Sequence, residues 1–176
     1  NIALISTNHA DMNGSDQASR GEKQAFIINS PGEYEVDGVF VKGLASKTNY
    51  GAHSTGSGSS SEKINTIYFV SLEGMNLCFL GSLSDANLSA EAKGAIENVD
   101  ILFTPISGEG VLSPSEAYKL AVSIEPSIII PMNFDPSTLK SFLKEGGGDG
   151  KPVDKLTVKK KDLEGKESEI VVLDAQ

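Results

Sequence analysis

The second half of the chain alternates short apolar runs with helix-forming segments, and this alternation limits the possible folds more than any other feature. Apolar runs at 101–103 and 128–130 flank a segment that opens with Ser113-Pro114-Ser115-Glu116. Serine three residues before glutamate, with proline between them, predicts a capped helix start. Another helix is predicted to begin at Asp135-Pro136 and to end at Gly146. Strands that alternate with helices predict a sheet with helices packed against it.

The first half of the chain is rich in strands, and two tight hairpins are predicted there. Asp37-Gly38 and Glu73-Gly74 each separate two β-prone runs. Acidic-glycine pairs suit the positive φ angles that a type I′ turn requires at both central residues. The first half therefore predicts antiparallel pairing.

A third hairpin is predicted at the C-terminal end of the chain. It would join 155–158 to 170–173 around Glu164-Gly165. The intervening Lys159-Lys160-Lys161 is interpreted as part of a solvated turn rather than a binding patch, because the chain as a whole is acidic.

The length and composition predict a single domain. A chain of 176 residues with 39% hydrophobic content can bury one core. We therefore assign residues 1–176 to one domain and predict that the Gly/Ser-rich segment 46–63 is a flexible loop.

The charge and cysteine content exclude several classes of protein. With 15 basic and 24 acidic side chains, the net charge of −9 disfavours nucleic acid and anionic membranes as partners. The single cysteine, Cys78, lies in an apolar run and is predicted to be buried rather than nucleophilic. No apolar run approaches the roughly 18 residues that span a bilayer. A soluble, cytoplasmic protein is expected.

Several blocks of the sequence resemble the metallo-β-lactamase-fold hydrolases, specifically a lactonase-like branch of them. The blocks that carry the resemblance are Ile2-Ala3-Leu4-Ile5-Ser6, Pro31-Gly32-Glu33-Tyr34, Leu80-Gly81, 99–105 and 125–132. The resemblance implies an α+β fold, a four-layer αββα sandwich. Because Asn1 to Ile5 already has the pattern of a strand, the family's first strands are expected to lie before Asn1, so that the domain would be incomplete at its N-terminus.

The resemblance also implies where metal ligands would lie. The family holds zinc with a His-x-His-x-Asp-His loop, a later His, an Asp after Leu-Gly and a His after Pro-Met, and the zinc generates a hydroxide nucleophile. The corresponding seven positions in this sequence are Thr7, His9, Asp11, Met12, Thr48, Ser82 and Asn133. Only His9 and Asp11 keep a ligating side chain, so these two are the remnant metal positions.

Two ligands are too few for a catalytic zinc, which uses three protein ligands. Threonine, serine and asparagine bind Zn²⁺ weakly, and a methionine thioether prefers softer ions. No catalytic residue and no bound cofactor are therefore expected. A rebuilt site would need a recruited ligand, for which His53 and Asp85 are the nearest candidates.

The candidate site residues also have simple structural interpretations. His9 and Asp11 suit a turn, with Asp11 forming an Asx turn ahead of Met12-Asn13-Gly14. Ser82 and Asn133 are expected to satisfy backbone groups at strand ends. Glu109, between two glycines, is interpreted as part of a solvated turn.

Three functions remain open on the sequence alone. The first is a non-catalytic binding or scaffold module, or pseudoenzyme, that keeps a hydrolase fold with a degenerate metal site. The second is a metal-dependent hydrolase of a small phosphorylated, ester or lactone substrate, which works through a rebuilt site. The third is a subunit completed by another chain, because an uncovered sheet edge invites a protein partner or self-association.

Overall fold

The computed structural model describes residues 1–18, 23–51, 63–148 and 150–174. The strands in these residues are β1 (Ile2–Leu4), β2 (Phe26–Ile28), β3 (Gly32–Val36), β4 (Val39–Thr48), β5 (Lys63–Leu72), β6 (Met75–Phe79), β7 (Ile101–Pro105), β8 (Ile128–Met132) and β9 (Glu169–Ile170). The α-helices are α1 (Ala90–Ala95), α2 (Pro114–Ile124) and α3 (Pro136–Gly146), and 3-10 turns lie at Ser15–Gln17 and Lys160–Leu163.

The strands form one large and one small sheet. The large sheet has the order β3-β4-β5-β6-β7-β8-β9, antiparallel from β3 to β6 and parallel from β6 to β9. The small sheet is the parallel pair of β1 and β2. The change from antiparallel to parallel pairing occurs where the predicted pattern changes from hairpins to strand-helix alternation, because a parallel strand needs a crossover connection.

The two faces of the large sheet are covered differently. On one face, Leu44, Ile67, Cys78, Leu102 and Ile129 pack against all three α-helices, and we call this the helical face. On the other face, buried side chains of β4 and β5 pack with β1 and β2. The described residues therefore form one layer of helices, the large sheet and the small sheet. These are three of the four layers expected for an αββα sandwich.

Tyr68 joins the two sheets through its hydroxyl group. The side chain is buried, and its oxygen lies 3.0 Å from the Ile5 carbonyl oxygen and 3.1 Å from the Ile28 carbonyl oxygen. Burial raises the pKa of Tyr68 to about 12, so the phenol keeps its donor proton at neutral pH. The small sheet is thus fixed to the large one by a buried donor.

The two hairpins predicted at Asp37-Gly38 and Glu73-Gly74 and the two capped helices are confirmed. Asp37 and Gly38 have φ angles of 51° and 77° between paired strands, as a type I′ turn requires. The helix α2 begins at Pro114 with a capping box between Ser113 and Glu116. The helix α3 spans the predicted range from Pro136 to Gly146. Cys78 is fully buried, as predicted.

The predicted C-terminal hairpin is wrong. Residues 155–158 are not a strand, and β9 pairs in parallel with β8 instead of closing a hairpin. The strand β8 has an open edge after pairing with β7, and β9 occupies it. The side chains of Leu156 and Val158 pack on the apolar cluster of Ile101, Ile128 and Ile130.

Lys160 is exposed, as the interpretation of a solvated turn predicted, but it lies in the 3-10 turn Lys160–Leu163 and not in a hairpin turn. Lys160 also pairs with a buried carboxylate. Its ammonium group lies 2.7 Å from each carboxylate oxygen of Asp100, a buried residue that also accepts the Asn76 backbone N–H at 2.8 Å. A buried carboxylate needs a counter-charge, and Lys160 supplies it. This ion pair attaches the C-terminal segment to the start of β7.

The segment 46–63 lies partly outside the described residues. Its first residues, Ser46 to Thr48, belong to β4, and Lys63 begins β5. Residues 52–62 are outside the described ranges, so the flexibility of this loop stays a prediction. Within the described ranges, none of the helices has the length and apolar character needed to cross a membrane.

We expect Asp100→Ala to lower the free energy of unfolding by about 2–3 kcal/mol, because the Asn76 N–H and the Lys160 ammonium both lose their acceptor. Asp100→Asn should cost less, since an amide oxygen can still accept the Asn76 N–H. Urea unfolding measures both, with Asp154→Ala as the control at an exposed aspartate. Equal effects of Asp100→Ala and the control would contradict the prediction.

Candidate functional site

The residues at four of the predicted ligand positions lie at or just after the end of a strand. Thr7 follows β1, Thr48 ends β4, Ser82 follows β6 and Asn133 follows β8. In sheets with parallel strands, sites collect in such loops beyond the carboxyl ends of the strands. Thr7, Thr48, Ser82 and Asn133 therefore all lie at or just after the carboxyl ends of strands.

Thr7 and Ser82 are in direct contact through a short hydrogen bond between their hydroxyl groups. Both also lie beside the Oδ1 atom of Asn65, at 3.3 Å from the Thr7 hydroxyl and 3.2 Å from the Ser82 hydroxyl. All three side chains are buried, with exposed fractions of 3% or less. We call Thr7, Asn65 and Ser82 the buried polar cluster.

Asn65 uses its full hydrogen-bonding capacity inside this cluster. Its amide nitrogen donates to the Ser46 hydroxyl at 2.7 Å and to the Leu80 carbonyl at 2.9 Å. Its amide oxygen accepts the Ser82 backbone N–H at 2.8 Å, which leaves one lone pair for a hydroxyl of Thr7 or Ser82. An amide has two donors and two acceptor sites, so all four are engaged. The cluster is a closed hydrogen-bond network.

Gly81 allows the loop after β6 to approach this cluster. Its φ angle is +63°, and a Cβ atom at this position would collide with the Asn65 Oδ1 atom and lie 2.5 Å from the Ser6 Cβ atom. Only glycine combines this backbone conformation with the absence of a side chain. The close approach therefore depends on Gly81.

His9 and Asp11 form a second group together with Tyr50. The His9 Nδ1 atom lies 3.6 Å from the Asp11 Oδ2 atom and accepts the Asp11 backbone N–H at 3.2 Å. The Tyr50 hydroxyl donates to the same Asp11 oxygen at 3.4 Å, and its ring meets the His9 ring edge to face at 5.1 Å between centroids. The two remnant metal positions thus already have partners within the protein.

Burial first, and then the neighbouring Asp11 carboxylate, raise the pKa of the Tyr50 phenol above its ordinary value. The phenol therefore stays protonated at neutral pH and acts as a donor to Asp11. Glu109 contributes to the same shift in pKa, so this acid faces Tyr50 from an exposed turn. The Tyr50 phenol thus holds the Asp11 carboxylate beside His9.

The segment after β4 is held against His9. A Cβ atom on Gly51 would lie 2.5 Å from the His9 Nε2 atom, so the backbone covers the second ring nitrogen closely. The Lys63 ammonium group bonds the carbonyl oxygens of Gly51 at 2.8 Å and Tyr50 at 3.3 Å. The His9 Nδ1 atom thus accepts a hydrogen bond, and its Nε2 atom lies close to the Gly51 backbone.

The remaining ligand positions bond to their own surroundings. The Thr48 hydroxyl accepts the Tyr50 backbone N–H at 3.0 Å, and the Asn133 amide donates to the Ser107 hydroxyl at 3.4 Å. Met12 is half-buried, and its backbone N–H donates to the His9 carbonyl in a turn.

Of the two candidates for recruited ligands, the structure describes only Asp85. The Asp85 carboxylate accepts the backbone N–H and the side-chain amide of Asn87, at 2.8 and 2.9 Å. His53 lies outside the described residues. Among the residues that the structure describes, no three or more His, Cys, Asp and Glu side chains lie together as a metal site would require.

Two structural expectations for the site are corrected. Within the described ranges, the Ser82 and Asn133 side chains bond to the side chains of Asn65 and Ser107, where backbone partners were expected. The Asx turn lies at Asn13, whose side chain accepts the Ser15 N–H at 3.4 Å, while Asp11 is drawn to Tyr50.

Sequence reasoning missed two important residues of the site, Asn65 and Tyr50. Asparagine is depleted in strands, so Asn65 at the start of a buried strand signals that its side chain has a partner. Tyr50 carries no comparable signal, because it lies at the edge of the Gly/Ser-rich segment.

Comparison with known families and structures identifies the scaffold. The family model described as the β-lactamase superfamily domain matches residues 1–133. A Thermotoga maritima protein described as a Zn-dependent hydrolase of the metallo-β-lactamase superfamily is 24% identical with a TM-score of 0.69, over 99% of this chain and 82% of that chain. A Parabacteroides distasonis protein described as a metal-dependent hydrolase is 13% identical with a TM-score of 0.64, over 99% and 76%. These similarities confirm the α+β fold predicted from the sequence.

Replacing Gly81 by alanine tests how tightly the buried polar cluster is packed. Gly74 is the matched control, because it also has a positive φ angle, +75°, but a Cβ atom there meets nothing within 4 Å. We expect Gly74→Ala to cost about 1–2 kcal/mol of stability for its backbone conformation alone. Gly81→Ala should cost about 1–3 kcal/mol more, because the Asn65 amide must move. Equal losses in urea unfolding would contradict the prediction.

Proposed function

Because the chain belongs to the β-lactamase superfamily, we propose that it is a hydrolase-fold protein without a competent metal site, which acts as a non-catalytic binding or scaffold module. The observation that carries this proposal is the buried polar cluster of Thr7, Asn65 and Ser82. Two of its members stand at positions where the resemblance places metal ligands, and their hydroxyl groups bond to each other.

The closed network of the cluster supports the proposal. A pocket built for an ion leaves lone pairs converging on an empty centre, and those lone pairs are satisfied only when the ion is bound. Here each hydroxyl has a protein partner and the Asn65 amide is saturated. The cluster needs no ion to satisfy its polar groups.

The chemistry of the donors also does not fit the family's metal. Zinc sites in proteins are built from thiolate, imidazole and carboxylate ligands, and neutral hydroxyl groups compete poorly with water. His9 and Asp11 provide one imidazole and one carboxylate, which is fewer than the three ligands of a catalytic site. The side chains at these positions therefore do not fit a catalytic zinc ion.

The competing proposal is a hydrolase that acts on a small phosphorylated, ester or lactone substrate through a rebuilt site. It requires His9 and Asp11 to release Tyr50 and to recruit a third ligand such as His53. Asp85 is less suitable than His53, because it already accepts two hydrogen bonds from Asn87. We favour the non-catalytic function because it requires no rearrangement of these contacts.

A non-catalytic module needs a partner, and we propose that the partner is a protein. The acidic charge of the chain argues against nucleic acid and anionic membranes. The cytoplasm is the proposed location, on the grounds that the only cysteine is buried and forms no disulfide. A chain that completes the sheet edge at β1 is the other form that such a partner could take.

Zinc content tests the proposed function directly. We expect protein purified without chelator and then equilibrated with Zn²⁺ to retain far less than one zinc per chain, measured by elemental analysis with a colorimetric titration as a check. Excess Zn²⁺ should leave the thermal midpoint unchanged, because only a ligand that binds the native state raises it. A panel of phosphodiester and lactone substrates should show no turnover.

The variants His9→Ala and His53→Ala separate the two proposals. If a rebuilt site exists, each variant should lose zinc and activity relative to the parent chain. If the site is absent, both should behave like the parent. Near-stoichiometric zinc that disappears in His9→Ala would overturn the non-catalytic proposal.

A further inference from the structure

Part of the helical face of the large sheet is not covered by helix α1. The cavity over this part has a volume of about 290 Å³, and we call it the acidic groove; the residues that define it are Glu33, Phe40, Lys42, Phe69, Ala95 and Glu97. It is distinct from the loops that carry the predicted ligand positions.

The strand register explains why these side chains share one surface. Lys42 lies opposite Glu33 on β3 and opposite Phe69 on β5, and Phe40 lies opposite Glu35 and Ser71. Residues two apart on a strand point to the same face, so Phe40 and Lys42 continue the face on which Leu44 is buried. The groove is therefore an outward extension of the hydrophobic core.

The floor of the groove is aromatic and accessible. Phe40 has an exposed fraction of 56%, and Phe69 is half-buried against the core. Helix α1 has only six residues and ends at Ala95. It covers the core near Ala92 and leaves Phe40, at the start of β4, exposed. An exposed aromatic side chain beside a cavity, bordered by charged groups, is typical of an interaction site.

The border of the groove is negatively charged. The Lys42 ammonium group is shared between Glu33, at 3.4 Å, and Glu91, at 3.8 Å, so one cation faces two carboxylates. Glu97 lines the cavity, and Glu35 lies across from Phe40. Acidic side chains thus outnumber basic ones here, as they do in the whole chain, where the net charge is −9.

We propose that the acidic groove binds a basic amphipathic segment of a partner protein. Apolar side chains of the segment would cover Phe40 and Phe69, and its lysine or arginine side chains would pair with Glu33 and Glu97. A cation above an exposed phenylalanine ring gains a further attraction from the ring quadrupole. This inference rests on the proposed binding function and names the chemistry of the partner.

The charge of the groove selects this occupant over the alternatives. A second copy of the chain would bring a net charge of −9 to a border that is already acidic, and like charges oppose such a contact. Nucleic acid is repelled for the same reason. A basic segment gains electrostatic attraction and also covers the apolar floor.

Fluorescence anisotropy with two labelled peptides tests the proposal. One peptide is a short amphipathic helix of leucine and lysine, and the other has glutamate in place of each lysine. We expect the lysine peptide to bind the full chain, with an affinity that falls as salt is added, and the glutamate peptide not to bind. Equal binding of the two peptides, or no binding of either, would overturn the proposal.

Matched variants locate the binding on the chain. Phe40→Ala and Glu97→Gln should each weaken the lysine peptide roughly tenfold, as expected for side chains at the centre of an interface. The controls are Ile64→Ala, an apolar residue that is 64% exposed elsewhere on the sheet, and Glu145→Gln on α3. The controls should bind like the parent chain. Losses in the controls as large as in the groove variants would show nonspecific attraction and contradict the proposal.

Circular dichroism and light scattering complete the experiment. Because Phe40 is mostly exposed, Phe40→Ala should keep the parent's spectrum and unfolding midpoint. The parent should be a monomer without peptide; a dimer that Phe40→Ala dissociates would assign the groove to a second copy instead. Zinc content is measured without peptide, so failure of this proposal is distinguishable from failure of the non-catalytic one.

Discussion

The buried amide of Asn65 is the interaction on which the arrangement of the loops depends. It lies in β5 near the centre of the large sheet and bonds to Ser46 of β4, to the Leu80 carbonyl and to the backbone of Ser82. Thr7 reaches the same amide from the loop after β1. A buried amide that loses a partner costs about 1–3 kcal/mol, so these segments are held in one arrangement. The protein positions its loops by hydrogen bonds between neutral groups.

The scaffold and the site are stabilised by different contacts. The two sheets are joined by the Tyr68 hydroxyl, which bonds the Ile5 and Ile28 carbonyls, and by apolar packing around Ile28 and Val41. The helical face is closed by α1, α2 and α3 over an apolar core. Neither contact needs a ligand at the positions of Thr7, Ser82 or Asn133. The contacts that join the layers of the fold therefore do not use the side chains of Thr7, Ser82 or Asn133.

Local signals in the sequence predicted the elements whose partners are close in the chain. The turn at Asp37-Gly38 and the cap at Ser113 each depend on a few adjacent residues, and both were correct. The strand β9 was assigned to the wrong partner, since its parallel neighbour β8 lies about 40 residues earlier and leaves no local trace. The cluster around Asn65 was missed for the same reason. Thr7 is 58 residues away from Asn65 in the sequence, and only the fold brings them together.

The resemblance proposes ligand positions in the sequence, but it does not predict which hydrogen bonds the residues at those positions make. A resemblance identifies a position and says nothing about what a replaced side chain contacts. Threonine and serine at two facing ligand positions could have left a polar cavity filled with water, and in the structure they bond to each other and to Asn65. The polar groups at the loop ends are satisfied by one another. A partner would therefore gain more by covering a surface where apolar side chains are still exposed to solvent. On the helical face that surface is the aromatic floor around Phe40, where the core reaches solvent beyond the end of α1.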